Sequence, residues 1–292
     1  MFSFSVDLVF KLERVENEEM YQLFQNQAHA KYKSGHYQEA MLLHELCLKI
    51  AKNLGKRIRE GVANANVAGC YFCMKDYKKA IEFYELSVNC MEESDNKDFK
   101  VQIYTCLGDA HLHLANFKKA IDNYQIGLQI IEEIGDAGKK RNKFYEAYAL
   151  GGLGQAHDSL GHFKAAMEFF QLQLQIAQDL GDKILERTSY YNLGNTCLHL
   201  GNFKQALVFN TQLLNIVKES GDRKGEGFAY GSLGNVYYKF GFLKEAIENH
   251  ERQLEIVKEQ RDREEEAVVY CNLGNDYRSI GNLQKATGVF FA

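Results

Sequence analysis

The chain has 292 residues, 46% of them apolar and 25% charged, with no proline and no tryptophan. Average usage would place roughly 15 prolines in this length, so their absence disfavours polyproline segments and loop-heavy β architectures, while the apolar fraction excludes wholesale disorder. Lys+Arg 35 against Asp+Glu 39 gives a net charge of −4, which supplies no global basic face for nucleic acid.

Residues 1–18 form an N-terminal segment of uncertain character. Its apolar opening, Met1–Phe10, is short, is interrupted by Asp7 and lacks a basic start, so a signal peptide is not expected. No run of about 18 apolar residues is present, so no membrane-spanning helix is expected either. From residue 19 onward a phrase recurs: aromatic or Leu, two mostly polar residues, then Ala. It closes at Ala40, Ala80, Ala120, Ala166, Ala206, Ala246 and Ala286, in steps of 40, 40, 46, 40, 40 and 40. A second phrase precedes it: Leu107-Gly108, Leu153-Gly154, Leu193-Gly194, Leu233-Gly234 and Leu273-Gly274, with Gln27-Ala28 and Val67-Ala68 in the first two copies. These phrases divide residues 19–292 into about seven units, near 21–54, 61–94, 101–134, 147–180, 187–220, 227–260 and 267–292, the last incomplete.

Each unit reads as helix, short turn, helix. Tyr190, Gly194 and Cys197 fall at i, i+4 and i+7, on one helical face. Leu214, Ile216 and Val217, or Leu254, Ile256 and Val257, mark the second helix. A helical glycine costs about 1 kcal/mol relative to alanine, so its recurrence implies a close approach, with the recurring alanine expected as its packing counterpart. Gly135-Asp136, Gly181-Asp182, Gly221-Asp222 and Arg261-Asp262 suit a helix end followed by an N-cap.

The spacing apolar–x2–Leu–Gly…Ala resembles that of tetratricopeptide repeats, over roughly residues 21–292. The usual period is 34; here it is 40, with a longer second helix. The triplets Leu193-Gly-Asn195, Leu233-Gly-Asn235 and Leu273-Gly-Asn275 are similar to the Leu-Gly-Asn repeat subfamily, G-protein-signalling modulators related to Partner of Inscuteable. The resemblance implies an all-α, right-handed superhelical solenoid of helix pairs, with first helices lining a concave groove, and a non-enzymatic protein-interaction scaffold in signalling or cell-polarity complexes. The modulators' nucleotide-dissociation motif, ending in Asp-Gln-Arg, has only the poor match Glu259-Gln-Arg261, so that activity is not carried over.

On that reading the groove position of successive units is His29, Gly69, Asp109, Gln155, Asn195, Asn235 and Asn275. The three asparagines form a ladder whose amides suit the backbone of a partner peptide; the competing reading is that they bond within the solenoid. Tyr191, His199, Tyr238, Lys239 and Arg278 stand around the ladder and favour a partner with acidic residues. The lysine of a chaperone-tail carboxylate clamp is missing, because Tyr191, Gly231 and Cys271 hold its place. No catalytic constellation or cofactor is expected. Cys70-Tyr-Phe-Cys73 is half a zinc site at most and reads better as helix lining, and His111 and His113 point to different faces. Lys139–Lys143, within the 46-residue step, reads as a solvated insertion or else as a targeting or acidic-partner patch. Seven cysteines at irregular spacing predict reduced thiols in the cytoplasm. As an alternative function, Val289, Phe290 and Phe291 predict stacking of an open C-terminal end on another chain, on missing repeats or on a second copy.

Overall fold

In a computed structural model, residues 6–92, 94–135 and 139–290 are described, except for the side chains of 6–17, 139–141 and 289–290. The described residues form fourteen helices in tandem and no strand. The chain divides into two compact units, Met1–Ala156 and His157–Ala292.

The first unit contains α1 (Val6–Lys33), α2 (Tyr37–Asn53), α3 (Arg57–Cys73), α4 (Tyr77–Met91), α5 (Lys97–His113) and α6 (Phe117–Ile134). It also takes most of α7 (Lys139–Ser159), which crosses the division. The second holds α8 (Phe163–Leu180), α9 (Lys183–His199), α10 (Phe203–Glu219), α11 (Arg223–Phe240), α12 (Leu243–Gln260), α13 (Arg263–Ser279) and α14 (Leu283–Phe290). From α1 to α6, and again from α8 to α14, each helix packs on its sequence neighbours, and α9 also touches α11. This is the nearest-neighbour stacking of a solenoid, in which a pair buries its apolar face only against the next pair. Helix α1 runs through residues 18–19, where the N-terminal segment was set apart.

Helix ends follow the expected chemistry. Asp182, Asp222 and Asp262 accept the backbone N–H groups of the first turns of α9, α11 and α13, satisfying donors that have no partner inside the helix. Asp136 lies outside the described residues. The turn within each pair passes through a left-handed residue at Gly35, Lys75, Ala115, Gly161, Gly201, Gly241 and Gly281. Five of the seven are glycine, the residue that adopts this conformation without steric cost; Lys75 and Ala115 adopt it at φ 63° and 57°.

The tight approach at the Leu-Gly phrase differs from expectation in its partner. The recurring alanines are buried, but the atoms nearest the glycines belong to the residue one turn beyond them. A Cβ at Gly108 would lie 2.5 Å from Tyr124, one at Gly194 2.8 Å from Asn210, and one at Gly234 2.5 Å from His250. The alanine brings the second helix close; the side chain four residues later, at the same face, fills the space above the glycine. Of these, Tyr124 also meets Gly152 of α7, where a Cβ would lie 2.2 Å from its ring. His250 Nδ1 is 2.6 Å from Asp276 of α13, and both residues are 1% exposed.

Candidate functional site

The face Tyr190–Gly194–Cys197 turns inward as expected. Gly194 abuts Asn210, the Tyr190 hydroxyl accepts from Gln178 of α8 at 3.2 Å, and Cys197 is fully buried, 3.9 Å from Met167 Sδ. The opposite edge of α9 carries the predicted groove residues. Tyr191 and His199 are exposed and Asn195 is half-buried; on α11 and α13, Asn235, Lys239, Asn275 and Arg278 are exposed and Tyr238 is half-buried.

The asparagines do not tie the solenoid together. Among the described residues the Asn195 and Asn235 side chains have no hydrogen-bond partner, and Asn275 only accepts a long 3.4 Å bond from Arg278 on its own helix. Their donors and acceptors therefore face solvent unspent. Two of the surrounding residues are engaged locally. Tyr238 shares a 3.2 Å hydroxyl hydrogen bond with Ser279, joining α11 to α13, and His199 stands 3.6 Å from Asp158, which also accepts from Thr196 at 2.8 Å.

Tyr191 opens onto a hollow of about 430 Å³ between α9, α10 and α11. Leu213 and Val217 form its buried floor, Thr188 and Phe228 its sides, and an ion pair between Arg187 and Asp222 closes one end. Tyr191 is 43% and Phe228 45% exposed. Phe228 and Val268, exposed at the same register of α11 and α13, form an apolar pair that the sequence pattern did not single out. The available signal was that Thr188, Phe228 and Val268 stand 40 residues apart, one turn before the Tyr191 register.

Other candidates are structural. Cys70 is buried and Cys73 contacts the Tyr32 hydroxyl at 3.0 Å; burial pushes the Cys70 thiol up to about 12 and those of Cys47 and Cys197 to about 11, so they stay protonated and unreactive. All seven cysteines are free. His111 is buried, whereas His113 stacks on Tyr77 at 4.5 Å. Among the described residues no group of three or more His, Cys, Asp or Glu is placed to hold a metal, and no helix is long and apolar enough to cross a membrane. In the Lys139–Lys143 patch, Lys143 pairs with Glu146 at 3.7 Å, and the side chains of Lys139, Lys140 and Arg141 lie outside the described residues. So do those of Val289, Phe290 and Phe291.

A family model described as tetratricopeptide repeat matches residues 59–133, 145–219 and 227–290. No curated protein matches the chain. Among solved structures, the chain is similar to the apo form of the quorum sensor NprR from B. thuringiensis, with TM-score 0.74 and 13% identity over 97% of this chain and 80% of that one. It is also similar to a Rap protein complexed with Competence and Sporulation Factor, at 0.59 and 13% over 93% and 96%. A third likeness is to aspartyl phosphate phosphatase F from Bacillus subtilis, at 0.70 and 14% over 98% and 72%. At these identities the likeness is one of fold.

Proposed function

The chain belongs to the tetratricopeptide repeat family, and on that premise we propose that it is a non-enzymatic scaffold whose α9–α11–α13 face captures an extended or helical segment of a partner protein. The observation that carries this reading is the combination of the Tyr191–Phe228 hollow with the free amides of Asn195, one turn beyond Tyr191, and Asn235, two turns beyond Phe228. An apolar anchor residue of the segment fills the hollow and covers two half-exposed rings, the kind of contact that dominates interface energies. The asparagines hydrogen-bond the segment's backbone, each as donor and acceptor. Lys239 and Arg278 favour acidic residues in the segment.

The Rap protein solved with Competence and Sporulation Factor and the quorum sensor NprR are consistent with ligand capture by this fold; their identities carry no residue across, and neither does that of the phosphatase. The Leu-Gly-Asn triplets favour a place in signalling or cell-polarity complexes, and the free thiols favour the cytoplasm.

The test compares partners captured by wild type and by an Asn195→Ala/Asn235→Ala/Asn275→Ala variant of unchanged helicity. Loss of about tenfold or more in affinity for a captured partner supports the assignment; full retention of every partner overturns it. A second reading, assembly through the α13–α14 end, rests on exposed Ile280 and Leu283. Self-association in light scattering that Leu283→Glu abolishes would favour it.

A further inference from the structure

The first unit has a hollow of its own, of about 320 Å³, between α3, α4, α5 and α7. Its wall is aromatic: Tyr84, Phe99, Phe144, Tyr145 and Tyr148. The Phe144 ring lies 5.8 Å from Tyr145 at 78° and 5.5 Å from Tyr148 at 39°, so the rings crowd one side with different inclinations. Gln102 donates to the Tyr145 hydroxyl and pins that ring, while Phe144 and Tyr148 stay exposed at the mouth.

Among the described residues the one carboxylate in this wall is Asp109, which occupies in α5 the register of Asn195 in α9. Asp109 is half-buried, and its Oδ1 accepts from the Tyr124 hydroxyl at 2.6 Å. Its Oδ2 has no hydrogen-bond partner, and no lysine or arginine pairs with it, among the described residues. Among the described residues the titratable groups facing it are Cys106 on its own helix, Tyr84 from α4, Tyr124 from α6, and Tyr145 and Tyr148 from α7. None of them is a cation. Burial raises the Asp109 carboxyl to about 6, against the pull of the Tyr124 hydrogen bond.

A largely buried carboxylate beside ring faces is an arrangement that a cation stabilises. Ring faces are negative and attract cations as well. Both features select the same ligand chemistry, and both reject an anion. The volume lies at the small end for ligand sites, enough for one side chain. We propose that this hollow receives a single cationic side chain, arginine or lysine, of a partner segment, with Asp109 as its counter-ion and Phe144 and Tyr148 as its walls. A weakly hydrated guanidinium suits a ring-lined hollow better than a strongly hydrated ammonium. The site lies in the other unit from the asparagine ladder and selects the opposite charge, so it stands or falls apart from the scaffold reading.

The test uses the full chain and three blocked pentapeptides, Gly-Gly-X-Gly-Gly, where X is arginine, lysine or citrulline, the neutral isostere of arginine. Ligand-observed NMR measures their binding. The arginine peptide is expected to bind about tenfold or more tighter than the citrulline peptide. Asp109→Asn, which keeps an acceptor for Tyr124, is expected to abolish that preference, and Tyr148→Ala to weaken arginine binding by about threefold or more. Below about pH 6 the wild-type preference is expected to fall, as protons compete for the carboxylate. Equal binding of arginine and citrulline, no binding of any peptide at about 10 mM, or a preference that survives Asp109→Asn overturns the proposal. Should Asp109→Asn fail to fold, Tyr148→Ala and the pH series decide: a preference unchanged in both overturns it equally.

Discussion

Gly108→Ala probes a tight helix approach in the first unit. The new methyl would sit 2.5 Å from Tyr124 Cε1, about 1 Å inside ordinary carbon–carbon contact. An escape route exists in principle, since Ala68 and Tyr84 occupy the same two positions in α3 and α4 and share a core. Tyr84, however, has the Cys106 side chain on its far side, whereas Tyr124 has the Gly152 backbone, where even a Cβ would come within 2.2 Å. The Tyr124 ring is held from both sides and is wholly buried, so it cannot retreat without moving α5, α6 or α7. Overpacking costs about 1–3 kcal/mol, and disturbing the hydroxyl's hydrogen bond to the Asp109 carboxylate about 1.5–3 kcal/mol more. The better helix propensity of alanine returns about 1 kcal/mol. The net expectation is a destabilisation of about 1.5–5 kcal/mol, read from urea unfolding as a lower midpoint at unchanged slope. In a Tyr124→Leu background the same substitution should cost much less, because the clashing atoms are gone. A Gly108→Ala protein as stable as wild type, or equal costs in the two backgrounds, would refute the account.

Ala115→Gly relieves a left-handed turn residue and should raise stability by about 0.5–1 kcal/mol in the same assay. Asp276→Ala strips the buried partner of His250 and should cost about 3 kcal/mol, with Asp276→Asn closer to wild type. Asp109 has its carboxyl raised from 3.8 to about 6, so the folded state favours its protonated form: its stabilising contribution is full below about pH 4 and is lost as pH rises through about 6. Asp109→Asn should therefore gain on wild type as pH rises across that window, by on the order of 2 kcal/mol after allowing for the exposed part of the residue, and parallel unfolding curves at pH 4 and pH 7 would contradict it.

Much of this arrangement was legible in the residues. The alternation of Leu-Gly with aromatic-x-x-Ala places both helices of every unit, and Gly221-Asp222 announces a helix end and an N-cap because each function demands a narrow residue type. The true partner of the glycine was harder to see. It varies between Tyr124, Asn210 and His250, so no repeated letter marks it; only its spacing from the alanine is constant. The apolar pair of Phe228 and Val268 was hidden for a different reason. Hydrophobicity reads alike for a buried residue and for an exposed one awaiting a ligand, and burial depends on the next helix pair. The hollow around Asp109 joins α3, α4, α5 and α7, and no local pattern reports on such a junction.

The variable residue above each glycine links packing to the proposed groove face. Tyr124 is long enough to pass over Gly108 and hydrogen-bond Asp109, the next residue along the helix. Asn210 occupies the same place over Gly194 but turns its amide back to the Ala206 carbonyl, and Asn195 is left unbound. His250 over Gly234 reaches instead to Asp276 of the following pair, and Asn235 is again free. The same backbone step thus produces a tethered carboxylate once and an untethered amide twice, according to the length and polarity of a core side chain. A substitution at Tyr124 would consequently alter the charge and orientation of Asp109, a residue of the proposed groove face that it does not resemble. Its effect on ligand binding should exceed that of Asn210, whose amide donates to the Ala206 carbonyl and not to Asn195.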